Sequence, residues 1–225
     1  MAPIDRLLLA QLPPGTRVAL LPTASGREPG APARWNALGE AHFRALGATS
    51  LPILLLRRED AFAEPVLAAL RQAQLFYFSG GDPLYLVETL ANTPAWEQVR
   101  SAHAQGAGVA GCSAGAMMLG GAVLRFRTLI TEGRVVWAPG LAVVPHFAVL
   151  PHFDRLVARL GAHLAEIVAS APVGTCIVGI EEETALVRCQ PRGAWQALGR
   201  GRVHLYRAGQ PHVLARAGEQ LVLEE

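Results

Sequence analysis

The sequence contains no lysine, since all 20 of its basic residues are arginine. That absence excludes a Ser-Lys dyad and any Schiff-base chemistry on a lysine amine. Charge is sparse as well. Charged residues make up 17% of the chain and the formal net charge is +2, spread too thinly to form a surface for nucleic acid. Cysteine is scarce: Cys112, Cys176 and Cys189 are three in number and lack metal-ligand spacing. They read as reduced thiols, so neither a disulfide framework nor a metal site is expected. Long apolar runs are also missing. Leu51 to Leu56 and Val143 to Leu150 are short, and Pro145 and His146 interrupt the second, so no membrane contact is expected. The opening MAPIDRLLLAQLPPG has neither the basic start nor the cleavage site of a secretory signal, and the expected compartment is the cytoplasm. No P-loop fingerprint occurs, and no cofactor is expected.

What remains is an apolar, globular composition. With 225 residues, 51% of them hydrophobic, the chain can bury the core of one α/β domain spanning residues 1–225. Val18 to Pro22 reads as a buried strand running into Thr23-Ala24-Ser25, followed by a Gly- and Pro-rich loop at 27–33 and an amphipathic helix from Ala33 to Leu46. Leu51 to Leu56 is a second strand, Ala61 to Ala73 a second helix, and Leu75 to Phe78 a third strand stopping at Ser79-Gly80-Gly81-Asp82. Two helices, Pro83 to Ala91 and Pro94 to Gln105, precede a strand at Gly108 to Gly111. Such alternation predicts a mostly parallel sheet with helices on both faces and a ligand site beyond the carboxyl ends of the strands. The second half reads as strands at Arg134 to Trp137 and Ala142 to Val149, a helix from Phe153 to Ala169, and strand material from Cys176 to Cys189. After a Pro-Gly loop at 190–193, Ala194 to Ala208 and His212 to Leu214 read as antiparallel strands at the sheet margin.

Gly111-Cys112-Ser113-Ala114-Gly115 follows the apolar run Ala107 to Ala110 and precedes a helix-forming stretch. A serine between two glycines at a strand-to-helix turn is a nucleophile elbow, in which a strained backbone lifts Oγ above the edge of the sheet. Cys112 adjoins the turn, but the glycines bracket position 113. A serine hydroxyl needs a base and a group that orients the base. Among seven histidines, His146 and His152 both occur as Pro-His-Phe at the ends of apolar runs, while His42, His103, His163, His204 and His212 read as solvated or packing residues. For the acid, Glu181-Glu182-Glu183 lies in apolar surroundings, and on a strand Glu182 would face opposite to its two neighbours. A plain acidic turn is the other reading, and Glu132 is a competing acid. Gly80 and Gly81 give the loop after the third strand the freedom to aim an amide at a reacting carbonyl. The N–H groups of Gly81 and Ala114 would then form an oxyanion hole.

Four blocks in order carry a resemblance: Phe78-Ser79-Gly80-Gly81-Asp82, Gly111 to Ala116, Gly140-Leu141 through Pro151-His152-Phe153, and Gly179 to Leu186. In these the chain resembles the peptidase E and cyanophycinase family of serine peptidases, whose fold is related to class I glutamine amidotransferases. The resemblance implies Ser113 as nucleophile, His152 as base and Glu182 as acid, acting without metal or cofactor on a small peptide as partner. It implies Gly80 and Asp82 beside the substrate, with Arg155 and Arg159 on the helix after His152 placed to fork a substrate carboxylate. This chain has Gly-Gly-Asp-Pro where cyanophycinases resemble one another in Gly-Gly-Asn-Gln. The expected activity is that of an exopeptidase or dipeptidase on short, aspartate-containing peptides. A cyanophycinase-like enzyme, with Asp82 and Glu181 or Glu183 receiving arginine, and a non-catalytic binding module are the alternatives. A homodimer is an open option.

Overall fold

Parallel strands cannot be joined by tight turns, so each pair needs a crossover, and the first half of the chain supplies one after every strand. The computed structural model describes residues 2–161, 163–190 and 193–222, and the chain divides into two compact units, residues 2–116 and 117–225. The first unit runs α1 (Ala2–Ala10), β1 (Arg17–Leu21), α2 (Ala31–Ala45), β2 (Thr49–Pro52), α3 (Glu64–Leu70), β3 (Leu75–Phe78), α4 (Pro83–Leu90), α5 (Pro94–Ala104) and β4 (Gly108–Gly111). Its strands lie in the order β2-β1-β3-β4, and every pairing is parallel. Val18, Leu20 and Leu75 are buried with Phe43 of α2, which is why these strands read as continuous apolar runs.

Proline sets where the helices begin. A proline sits in the first turn of each of α2, α3, α4 and α5, where its missing N–H is not needed. The same rule corrects the helix expected over Ala61 to Ala73. Pro65 cannot sit inside a helix, so a short 3-10 turn at Arg58–Phe62 is followed by α3 starting afresh at Glu64. Strand β2 is Thr49–Pro52 and not Leu51 to Leu56, and α1 is a helix that the apolar pattern leaves unassigned.

Helix α6 (Ala114–Leu119) leads into the second unit. There β5 (Ala122–Leu124), α7 (Phe126–Glu132) and β6 (Trp137–Pro139) precede β7 (Phe147–Pro151), α8 (Phe153–Leu160), α9 (Leu164–Ser170) and β8 (Cys176–Ile180). The strands β9 (Thr184–Val187), β10 (Trp195–Gly199), β11 (Arg202–Tyr206), β12 (Val213–Arg216) and β13 (Gln220–Leu221) complete it. Strands β7 and β8 are parallel, while β11 and β12 extend that sheet antiparallel in the order β12-β11-β8-β7. A second antiparallel sheet has the order β13-β10-β9. Parallel strands with helices, plus antiparallel strands toward the C-terminus, are the expected fold class.

Three boundaries differ. The helix expected over Phe153 to Ala169 is two helices, the first ending before Gly161, as the cost of glycine in a helix interior favours; residue 162 lies outside the described residues. Of Arg134 to Trp137 only Trp137 is strand, and of Ala142 to Val149 the strand begins at Phe147, past Pro145, which has no N–H for a ladder. The expected loop at 190–193 includes residues 191 and 192, which also lie outside the described residues. Among the described residues no helix is long and apolar enough to cross a membrane.

One buried ring ties this unit together. Phe153, 1% exposed, begins α8 and covers Gly179 of β8, where a Cβ would come within 2.6 Å of the ring. Phe153→Ala leaves a cavity at that junction. It is expected to lower unfolding free energy by about 3–5 kcal/mol, read from urea unfolding followed by circular dichroism.

Candidate active site

In the first unit the carboxyl ends of neighbouring strands build a tight turn around one hydroxyl. Phe78 pairs with Gly111 at the ends of β3 and β4, and the Cys112 N–H still donates to the Phe78 carbonyl at 3.0 Å. The backbone then reverses at Ser113, whose φ is +51°, a left-handed conformation that costs a non-glycine residue about 1–2 kcal/mol. The reversal is tight enough to dictate its neighbours: a Cβ on Gly111 would overlap the Gly115 backbone, and one on Gly115 would overlap the Phe78 carbonyl. A Cβ on Gly80 would lie 3.3 Å from Cβ of Ser113 and 3.4 Å from the Trp35 ring. Glycine at 111 and 115 is therefore a packing requirement of the elbow, as the sequence pattern indicated. Ala114 follows as the first residue of α6 and is buried.

The loop after β3 is pinned to the loop after β1. The Asp82 N–H donates to the Ala24 carbonyl at 2.8 Å, and Gly81 lies against the Ala24 backbone with φ +146°, a conformation open to glycine. Asp82 has a local task. Its Oδ1 accepts from the Leu84 and Tyr85 N–H groups at 2.9 and 3.1 Å, capping α4. Cys112 is held in a different environment from Ser113: burial pushes its thiol above the 9.0 of an ordinary cysteine, against the pull of hydrogen bonding to Tyr77 and the Gly80 backbone.

In the second unit the parallel pair β7 and β8 ends in register, Pro151 opposite Ile180, so His152 and Glu182 both emerge just past carboxyl ends of neighbouring strands. His152 is left-handed too, with φ +54°. Its Nδ1 lies 2.7 Å from Oε1 of Glu182; a neutral imidazole that donates Nδ1–H to a carboxylate carries its lone pair on Nε2. Glu182 is itself held, because its N–H donates to Oδ1 of Asp154 at 3.0 Å and its carbonyl accepts from the Thr184 hydroxyl at 3.0 Å. Arg155 sets its Nε 3.6 Å from the same Oε1, and Arg159 follows on the exposed side of α8.

The competing residues are elsewhere. His146 precedes β7 and so sits at the opposite end of that strand from His152. Glu132 closes α7 and pairs with Arg134 at 2.8 Å. Residues 181–183 are a turn between β8 and β9, not part of one strand, so alternation does not govern them. Each glutamate instead has its own partner: Glu181 meets His204 at 2.9 Å, Glu182 meets His152, and Glu183 meets Arg200 at 2.9 Å. Three contacts, Trp35 near Gly80 in the first unit and Asp154 with Glu182 and His204 with Glu181 in the second, have no signature in the sequence. Asp154 reads simply as an acid in a first helical turn, and nothing in the sequence brings Trp35 to Gly80 or His204 to Glu181. Among the described residues no group of three or more His, Cys, Asp or Glu could hold a metal ion.

The family model of peptidase family S51 matches residues 1–193. A cyanophycinase of Synechococcus elongatus is 32% identical over 197 residues, covering 83% of this chain and 57% of its own length. The chain thus spans little more than half of that relative. The crystal structure of a peptidase from an acI-B1 Actinobacterium is similar with a TM-score of 0.85 at 33% identity, covering 98% of this chain and 90% of that one. A putative peptidase E protein from Listeria monocytogenes EGD-e shares the fold at a TM-score of 0.60, with 19% identity over 97% of this chain and 94% of its own.

The environment of Cys112 gives a direct test of which side chain in the elbow is built to react. A thiol held above 9.0 is almost wholly protonated at pH 7, and only the thiolate is alkylated. Iodoacetamide modification of Cys112, followed by mass spectrometry, is expected to be far slower than that of a free thiol at pH 7 and to keep rising with pH where a free thiol has levelled off. Rapid labelling at neutral pH would make the cysteine the reactive group.

Proposed function

This chain belongs to peptidase family S51, the peptidase E and cyanophycinase family of serine peptidases, and we propose that it hydrolyses short, aspartate-containing peptides as an exopeptidase or dipeptidase through Ser113, His152 and Glu182. The observation that carries the reading is the 2.7 Å bond from His152 Nδ1 to Glu182, which leaves Nε2 as a base, taken with the left-handed elbow at Ser113. In the proposed reaction Ser113 Oγ attacks the peptide carbonyl while His152 Nε2 accepts its proton. The amides of Gly81 and Ala114 receive the oxyanion, at about 3 kcal/mol of transition-state stabilisation per donor. The imidazolium, steadied by Glu182, then protonates the leaving amine; water next attacks the acyl-Ser113 carbonyl as His152 takes its proton and returns it to Ser113 Oγ, releasing the acid. Arg155 and Arg159 bind the carboxylate of the substrate, a task suited to a planar guanidinium.

Hydrolysis of an aspartate-arginine polymer would call for acidic groups to receive arginine. The candidates for that pocket are Asp82, Glu181 and Glu183, and each already has a partner within the fold: the α4 cap, His204 and Arg200. Arg155 is engaged less closely, 3.6 Å from Glu182, and that favours the aspartate-containing peptide.

Two measurements test the proposal. Ser113→Ala is expected to lower kcat on an Asp-X dipeptide panel by roughly 10⁴-fold or more with folding intact, and unchanged hydrolysis contradicts the assignment. Turnover of Asp-Leu is expected to exceed that of β-Asp-Arg, and Arg155→Ala is expected to raise KM for Asp-Leu more than it lowers kcat. The reverse preference would move the substrate to the arginine-bearing class.

A further inference from the structure

The corner that carries Glu182 is under strain and must be held. Residues 181–183 join β8 to β9, and Glu183 adopts φ +53°, left-handed for a bulky side chain. Glu181, at the start of this corner, is fastened to β11 at both ends: its N–H donates to the Arg202 carbonyl at 3.2 Å, and its Oε2 accepts from the Arg202 N–H at 2.8 Å. Its other oxygen accepts from His204 Nε2 at 2.9 Å. The two side chains are only 20% and 14% exposed, so this pair is less screened by solvent than a surface ion pair. Gly201 makes room for it, since a Cβ there would lie 2.8 Å from the Glu181 carboxylate.

His204 also touches the other partner's stem. Its ring packs 4.7 Å from that of Phe153, the residue directly after His152. One imidazole therefore contacts the neighbour of Glu182 and the neighbour of His152 at once. The orientation of the ring is fixed from its far side. Nδ1 of His204 and Nε2 of His212 share a hydrogen bond at 3.3 Å, and His212 stacks 4.3 Å from the Tyr206 ring. Burial, then the charge His204 carries when protonated, holds the His212 pKa below its ordinary value.

The geometry points to Glu181 and His204 as a positioning pair that sets the corner bearing Glu182 against the stem bearing His152, and so fixes the imidazole–carboxylate bond. This rests on the proposed roles of His152 and Glu182. A displacement of about 1 Å at a catalytic group costs up to about 100-fold in rate. Glu181→Ala and His204→Ala are accordingly expected to lower kcat on Asp-Leu by roughly 10- to 100-fold with KM within about twofold. His204→Gln, whose amide can still donate to Glu181, recovers most of that loss. In a Glu182→Gln background the same substitutions have little further effect, because they act through Glu182. A full additional loss in that background overturns the inference.

A second readout does not depend on turnover. The Nδ1–H proton resonance of His152, assigned by its absence in His152→Ala, is expected to move or broaden in Glu181→Ala and in Glu181→Gln and to stay near its place in His204→Gln. A resonance unmoved by either Glu181 substitution overturns the inference. If the protein hydrolyses none of the peptides, the proposed function fails by itself and this resonance alone decides the positioning role. If an alanine variant does not fold, Glu181→Gln and His204→Gln carry the test.

Discussion

The constraint on which this molecule turns is a backbone that leaves a strand by reversing sharply at a residue with a side chain. Among the described residues, five non-glycine positions have a clearly positive φ, and Ser113, His152 and Glu183 are three of them. Each stands within three residues of the carboxyl end of a strand, β4, β7 or β8. A left-handed turn at such a place costs free energy that neighbouring packing must offset, and strain of this kind collects at functional sites. Here the offset is visible in named residues. Gly111 and Gly115 clear the space around Ser113, Phe153 buries its ring behind His152, and Arg200 and Thr184 brace the corner at Glu183.

Electrostatics then divides labour among similar groups. Three consecutive glutamates take three different partners, one of which is His152, so a repetitive sequence becomes a set of unlike sites. Cysteine and serine stand side by side in the elbow, yet burial keeps the thiol protonated. The proposed base gains its tautomer from Glu182, and Glu182 gains its position from Asp154 and the corner around it.

Much of this was legible before any coordinates. Strands at Leu75–Phe78 and Gly108–Gly111 are bounded as the apolar runs suggested, because parallel strands between helices carry no polar face to blur their ends. The elbow was legible because glycine on both sides of a serine is a steric demand written in composition. Other features were not. Two Pro-His-Phe triplets look alike locally, and only the extent of β7 puts one at each end of the strand. Treating residues 176–189 as one strand hid the turn at 181–183, since a single extended segment has no place for a left-handed residue. The contacts of Asp154 and His204 join residues 28 and 23 positions away from their partners, which local pattern does not encode.

In the proposed mechanism Ser113 is an activated alcohol whose reactivity depends on an imidazole oriented by Glu182. The most direct measurement is the site and rate of covalent labelling by a serine-directed fluorophosphonate, read by peptide mass spectrometry. The account predicts a single adduct on Ser113, formed much more slowly when Glu182 is replaced by glutamine. Absence of an adduct on Ser113 in the folded protein, or labelling at an unchanged rate in that variant, would contradict it.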